Sequence, residues 1–169
     1  MAWFRRTTVP PEVDEQVHRV PGERVLAAAP ATAGWVVATT QALWIPGRSG
    51  MVRLGWEVLD SASWDRDEEV LTVVQAAPVD GRPRRWVLRM QDAGELLLVV
   101  KESVRATVVT SRWVPVSGER GITVVARRPP GTDRLTWTVS VDAGLALDEP
   151  STRARVEEAV ASLRAELGR

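Results

Sequence analysis

Turn-forming residues break the chain at short intervals between Arg24 and Ala76, and that punctuation leaves room for strands but not for long helices. Pro30, Gly34, Pro46-Gly47, Gly50 and the segment Pro78-Val79-Asp80-Gly81 supply the fixed or positive φ that turns require. Between them lie β-like runs at Arg24–Ala29, Gly34–Thr39, Ala42–Pro46, Met51–Trp56, Asp60–Asp65 and Val70–Ala76, the layout of an antiparallel meander. The next run, Arg85–Gln91, sets Trp86, Leu88 and Met90 on one face and Arg85 and Arg89 on the other, the period-two pattern of a half-buried strand.

Helices are expected at three places. The lead-in, residues 1–21, carries Pro10, Pro11 and Pro21 around a short helix over Glu12–Val20. From Glu95 to Thr110, Leu96, Leu97, Val100, Val104 and Val108 recur at helical spacing. Leu98 and Val99 leave a competing strand over Glu95–Val100. After a strand at Arg112–Val116 and a hairpin of Gly121–Arg128 with Arg134–Val141 comes a helix over Pro150–Leu167. Its stripe of Val156, Ala159, Val160, Leu163 and Leu167 needs a sheet to cover. Asp148 is placed to cap it, and Arg153 with Glu157 forms an i,i+4 pair. The whole reads as a mainly β, α+β protein divided into 1–21, 22–110 and 111–169.

The 169 residues are 44% apolar and 26% charged, enough to bury a core without disorder. Net charge is zero, which removes the global basic excess that nucleic-acid binders usually show. No cysteine is present, so thiolate chemistry, disulfides and cysteine-held metals are excluded, and a reducing cytoplasm is the expected setting. The opening Met1-Ala2-Trp3-Phe4-Arg5-Arg6 lacks an apolar signal core, and the longest apolar run, Leu96–Val100, is far short of the ~20 residues of a membrane span. Of the 22 basic residues only Lys101 is lysine, a bias typical of a GC-rich bacterial genome.

Three segments carry a resemblance. Pro21-Gly22-Glu23-Arg24-Val25-Leu26 leads into the first strand, and Trp35-Val36-Val37-Ala38-Thr39-Thr40 with Ala42-Leu43-Trp44 makes a tight second hairpin. Val52-Arg53-Leu54-Gly55-Trp56-Glu57-Val58 ends a strand on an aromatic before re-entry at Ala62-Ser63-Trp64-Asp65. In this layout the segment from Gly22 to Thr110 resembles the bacterial pleckstrin-homology-like fold. The resemblance implies a bent antiparallel sandwich of seven strands closed by a helix and by itself implies no activity, and the β-β-α extension that follows lies outside it.

Candidate catalytic chemistry is sparse. The single histidine, His18, sits in the lead-in rather than on the β scaffold, so nucleophile and triad logic has no base. Asp65, Asp67, Glu68 and Glu69 lack the spacing of a calcium loop and read as a solvated turn. No phosphate-binding glycine motif is present, and no catalytic, cofactor-binding or metal-ligating residue is assigned. Of the eight tryptophans, Trp35, Trp44, Trp86 and Trp137 fall inside strands and are expected in the core. Trp3 and Trp113 lie near element ends as aromatic anchors for a partner. Arg82, Arg84 and Arg85, and then Arg127 and Arg128, are the candidate anion or partner contacts. In lipid-binding pleckstrin-homology domains the basic residues gather at the first hairpin loop. Here Pro30-Ala31-Thr32-Ala33-Gly34 carries no charge. The expected role is therefore a cytoplasmic protein-interaction module. The alternative is a peripheral binder of anionic membranes or ligands through the arginine loops.

Overall fold

A computed structural model of the chain describes residues 9–78 and 84–168. A single helical turn, α1 (Pro11–Asp14), precedes an antiparallel meander of β1 (Val25–Ala31), β2 (Gly34–Thr39), β3 (Ala42–Gly47) and β4 (Gly50–Gly55). Gly34 and Gly50 close its first and last hairpins with positive φ, which a side chain would resist. A 3-10 turn at Trp56–Val58 redirects the chain into β5 (Leu59–Asp65) and β6 (Val70–Gln75). The two-residue β7 (Ala77–Pro78) then leaves for another sheet, and β8 (Arg84–Arg89) returns to pair with β6. The helix α2 (Gly94–Ala106) packs against β5, β1 and β2. The last third forms β9 (Val108–Ser117), β10 (Arg120–Arg127), β11 (Thr136–Val141) and α3 (Pro150–Glu166).

Three antiparallel sheets result, in the orders β1-β2-β3-β4, β5-β6-β8 and β7-β11-β10-β9. The first core gathers Leu43, Ile45, Trp56, Leu59, Leu71 and Val73 beneath Leu96 and Val100 of α2. Trp56 is 1% exposed, and its indole N–H donates to the Thr39 carbonyl at 3.0 Å, so the ring is buried without an orphaned donor. On the other face of the first sheet, Ala28, Val37 and Trp44 lie under Val13 and Val17 of the lead-in. A third core packs Ile122, Val124 and Val139 against Val156, Val160 and Leu163 of α3, each burial worth roughly 1.5–3 kcal/mol.

Several sequence expectations shift. The helix expected over Glu12–Val20 is only α1, because β-branched Val17 and Val20 propagate a helix poorly and Pro21 disfavours helical backbone before it. Val13 and Val17 still point to one side, onto Trp44. Residues 95–106 are helical, so the competing strand over Glu95–Val100 does not form, but the helix stops at Ala106 instead of Thr110. Val108 and Thr110 pair with Arg127 and Ala126 of β10, so a sheet takes the residues that the helical period would have claimed. The boundary drawn at residue 110 therefore falls inside β9. The expected strand at Arg112–Val116 lengthens into β9, and the borrowed β7 adds a fourth strand to the sheet it forms with the last hairpin. Asp148 does not cap α3: Glu149 holds the N-cap position in extended backbone, and no side chain bonds there. The ion pair on that helix joins Arg155 to Glu158 at 3.0 Å, not Arg153 to Glu157.

Candidate interaction site

The antiparallel ladder of the third sheet decides which backbone groups stay free. Gly121 donates its N–H to the Asp142 carboxylate at 2.7 Å, and its carbonyl accepts the Asp142 N–H at 3.0 Å. Alternate residues of β10 starting from Gly121 therefore turn their backbone toward β11, and Ile122, Val124 and Ala126 turn theirs toward Val114, Arg112 and Thr110 of β9. The same alternation aims the N–H and C=O of Ser111 and Trp113 away from β10. No described strand pairs there, so β9 is a ten-residue free edge. Pro115 lies on the same outward set, where its missing N–H costs no ladder bond.

The side chains of this edge are unusually apolar for an exposed strand. Val108, Val109 and Trp113 all lie on β9, at 39%, 38% and 49% exposure, and account for half of the exposed large apolar residues described. Arg112, Val114 and Val116 face α3; Arg112 reaches Glu166 at 2.6 Å and Ser162 at 3.2 Å. Trp113 points to the opposite face and lies against the backbone of Gly121, where a Cβ would meet its ring at 2.6 Å and the Val114 carbonyl at 2.3 Å. Its indole N–H donates to Asp142 at 3.3 Å, the carboxylate that also receives the Gly121 N–H. A glycine and an aspartate thus hold a half-exposed indole in one orientation, in the middle of β9 and not near its end.

Two concavities flank the start of this edge, and Val108 lines both. One, of about 520 Å³, is bordered by Trp56, the end of α2 and the Arg128–Thr132 turn. The other, of about 270 Å³, lies between α2, β5 and β10, with Asp60, Ser61, Lys101, Arg105 and Arg127 in its wall. Arg127 is 4% exposed. One terminal nitrogen, Nη1, donates to the Val104 carbonyl and to Thr107 Oγ1, both at 3.2 Å, placing its charge at the negative end of α2. Burial pushes its pKa down, and the charge of Asp60, 3.9 Å from Nη2, opposes that.

The five candidate arginines are not assembled into one patch. Arg84 and Arg85 are exposed on β8 of the three-stranded sheet, Arg127 is buried on β10, and Arg128 is exposed at the larger concavity. Arg82 and Trp3 lie outside the described residues. The first hairpin loop shrinks to Thr32-Ala33, since Ala31 pairs with Gly34, and the hollow beside it is lined by Pro30, Met90 and Asp92 without a cation. Asp65 caps its own turn by accepting the N–H groups of Asp67 and Glu68, and among the described residues no cluster of three or more acids or histidines could hold a metal. His18 is exposed. Trp44 is buried, while Trp35, Trp86 and Trp137 are partly buried against their cores, with Arg164 stacked 5.6 Å from the centre of the Trp137 ring.

Sequence reasoning missed Glu23, a carboxylate 5% exposed at the foot of β1. Burial raises its pKa, but hydrogen bonds from Thr39 Oγ1, the Val20 N–H and the Trp44 indole, aided by the Arg53 charge, outweigh that and hold it below the ordinary carboxylate range. It also missed the convergence of Lys101 and Arg105 with Arg127. Their i,i+4 spacing was visible, but the strand they face was not. No helix among the described residues is long and apolar enough to cross a membrane. Compared with protein-family models, curated proteins and solved structures, the chain matches none.

Proposed function

We propose that this chain is a cytoplasmic, non-catalytic interaction module whose partner is a protein that lays an extended segment along the free edge of β9. The observation that carries the reading is the outward backbone of Ser111 and Trp113 beside a fixed, half-exposed indole. Strand addition takes its affinity from main-chain hydrogen bonds and its selectivity from side chains at alternate positions. Trp113 offers the anchor, and Val108 and Val109 extend the apolar contact toward the larger concavity. We read the four strands and then three, with α2 packed on them, as the pleckstrin-homology-like scaffold expected over residues 22–110, one that holds β9 through α2.

The test is a proline at Ser111. Its N–H points outward, so Ser111→Pro removes an edge donor while sparing the β9–β10 ladder. A partner that co-purifies with the native chain at low and high salt should be lost from the folded Ser111→Pro and Trp113→Ala variants and kept by Arg84→Ala. Retention by both edge variants, or loss with salt alone, would overturn the edge as the contact.

A further inference from the structure

We propose that the smaller concavity, between α2, β5 and β10, binds a small oxyanion, a carboxylate or phosphate group, held by the Nη2 group of Arg127 with Lys101 and Arg105 at its rim. This site borders the strand-addition contact at Val108 but does not depend on it.

The argument begins with the donors of Arg127 that remain unused. Nη1 is spent on Val104 and Thr107, whereas Nε is buried with no acceptor. Nη2 forms a long ion pair with Asp60 Oδ1 at 3.9 Å, outside hydrogen-bond range. Nε is sealed inside the fold, so the donor that Arg127 presents to the concavity is Nη2, a charged N–H group suited to one oxygen of a carboxylate or phosphate. A nearly buried charge whose outer N–H group lacks a close acceptor is costly, and an anion that supplies one recovers part of that cost.

The surroundings agree in sign and size. Lys101 and Arg105 stand one turn apart on α2, both exposed, and line the same concavity. Three cations thus face one carboxylate, Asp60, in a chain whose net charge is zero. A volume of about 270 Å³ suits an anion of few heavy atoms. The contacts of Nη1 to the end of α2 fix the plane of the guanidinium in advance, so little ordering is left for the ligand to impose. Asp60 is the internal competitor: it neutralises the fork from a distance without closing on it.

The experiment titrates the folded chain with inorganic phosphate and, separately, with acetate at constant ionic strength, following the Arg127 Nε–H resonance by NMR. A saturable shift is expected, and the probe that saturates first tells a phosphate site from a carboxylate site. Lys101→Ala combined with Arg105→Ala, both on the exposed face of α2, should weaken binding by about tenfold or more, the loss of a charge-assisted contact. Asp60→Asn should tighten it by removing the competitor. No saturable shift with either probe, equal binding by the double variant, or no tightening in Asp60→Asn would overturn the site and leave Arg127 an internal partner of Asp60.

Discussion

The two ends of the molecule cover their sheets to different extents. The first sheet is buried on both faces, by the lead-in valines on one side and by α2 with the second sheet on the other. The third sheet is covered by α3 on one face, while Trp113, Ser111 and Ser140 remain exposed on the other and β9 has no neighbour on its outer edge. Extra layers around a sheet leave it no surface to offer, whereas a sheet with one helix keeps an edge and half a face for contact. The surface left open thus lies where the packing is thinnest.

That contrast can be broken at the cores. Trp56→Ala should cost about 3–5 kcal/mol and Leu163→Ala about 2–5 kcal/mol, as expected for truncations that leave cavities. Because β7 and Arg127 tie the two ends together, denaturant melts followed by tryptophan fluorescence and by far-UV circular dichroism should shift as one transition for both variants. Two separate transitions, each moved by one substitution, would show that the ends fold independently. Gly121→Ala should destabilise by about 1–3 kcal/mol, since the new methyl meets a backbone carbonyl and the Trp113 ring. Loss of partner capture out of proportion to that destabilisation would sharpen the role assigned to the indole's orientation.

Glu23→Gln probes the well-covered end and should cost about 1–3 kcal/mol at neutral pH, where the carboxylate accepts its three hydrogen bonds. Its pKa is depressed in the folded state, so this stability is present above the unfolded carboxylate pKa and is lost as pH falls through the lower folded value. The gap between wild type and variant, measured by urea melts, should therefore close in acid; a gap that widens would reverse the assigned sign. Trp113→Ala should change stability by about 1 kcal/mol or less, because the ring is half in solvent. The smallest effect belongs to Glu166→Gln at the exposed Arg112 pair, where no shift in the melting midpoint beyond measurement error is expected.

Much of the fold was legible in the chain because its signals are local. Glycine and proline mark the turns, period two marks β8, and the stripe from Val156 to Leu163 marks α3; each depends on neighbours a few residues apart. Trp113 was legible as a candidate anchor, but the fixed posture of its ring depends on Gly121 and Asp142, which no periodicity connects to it.

What only the tertiary structure decided is where local preference gives way to distant pairing. Val108 fits the helical stripe of α2, yet it joins β9 because β10 offers a strand to pair with, and Ala77 crosses to Val139 for the same reason. Arg127 reads as a contact cation of the last hairpin, but the end of α2 and Asp60 enclose it and leave part of its guanidinium without a hydrogen bond. Hydrophobic period and turn chemistry specify the elements and their buried faces. The free edge and the enclosed cation exist only once elements far apart in the chain have met, since neighbouring residues carry no record of which backbone donors those meetings leave unpaired.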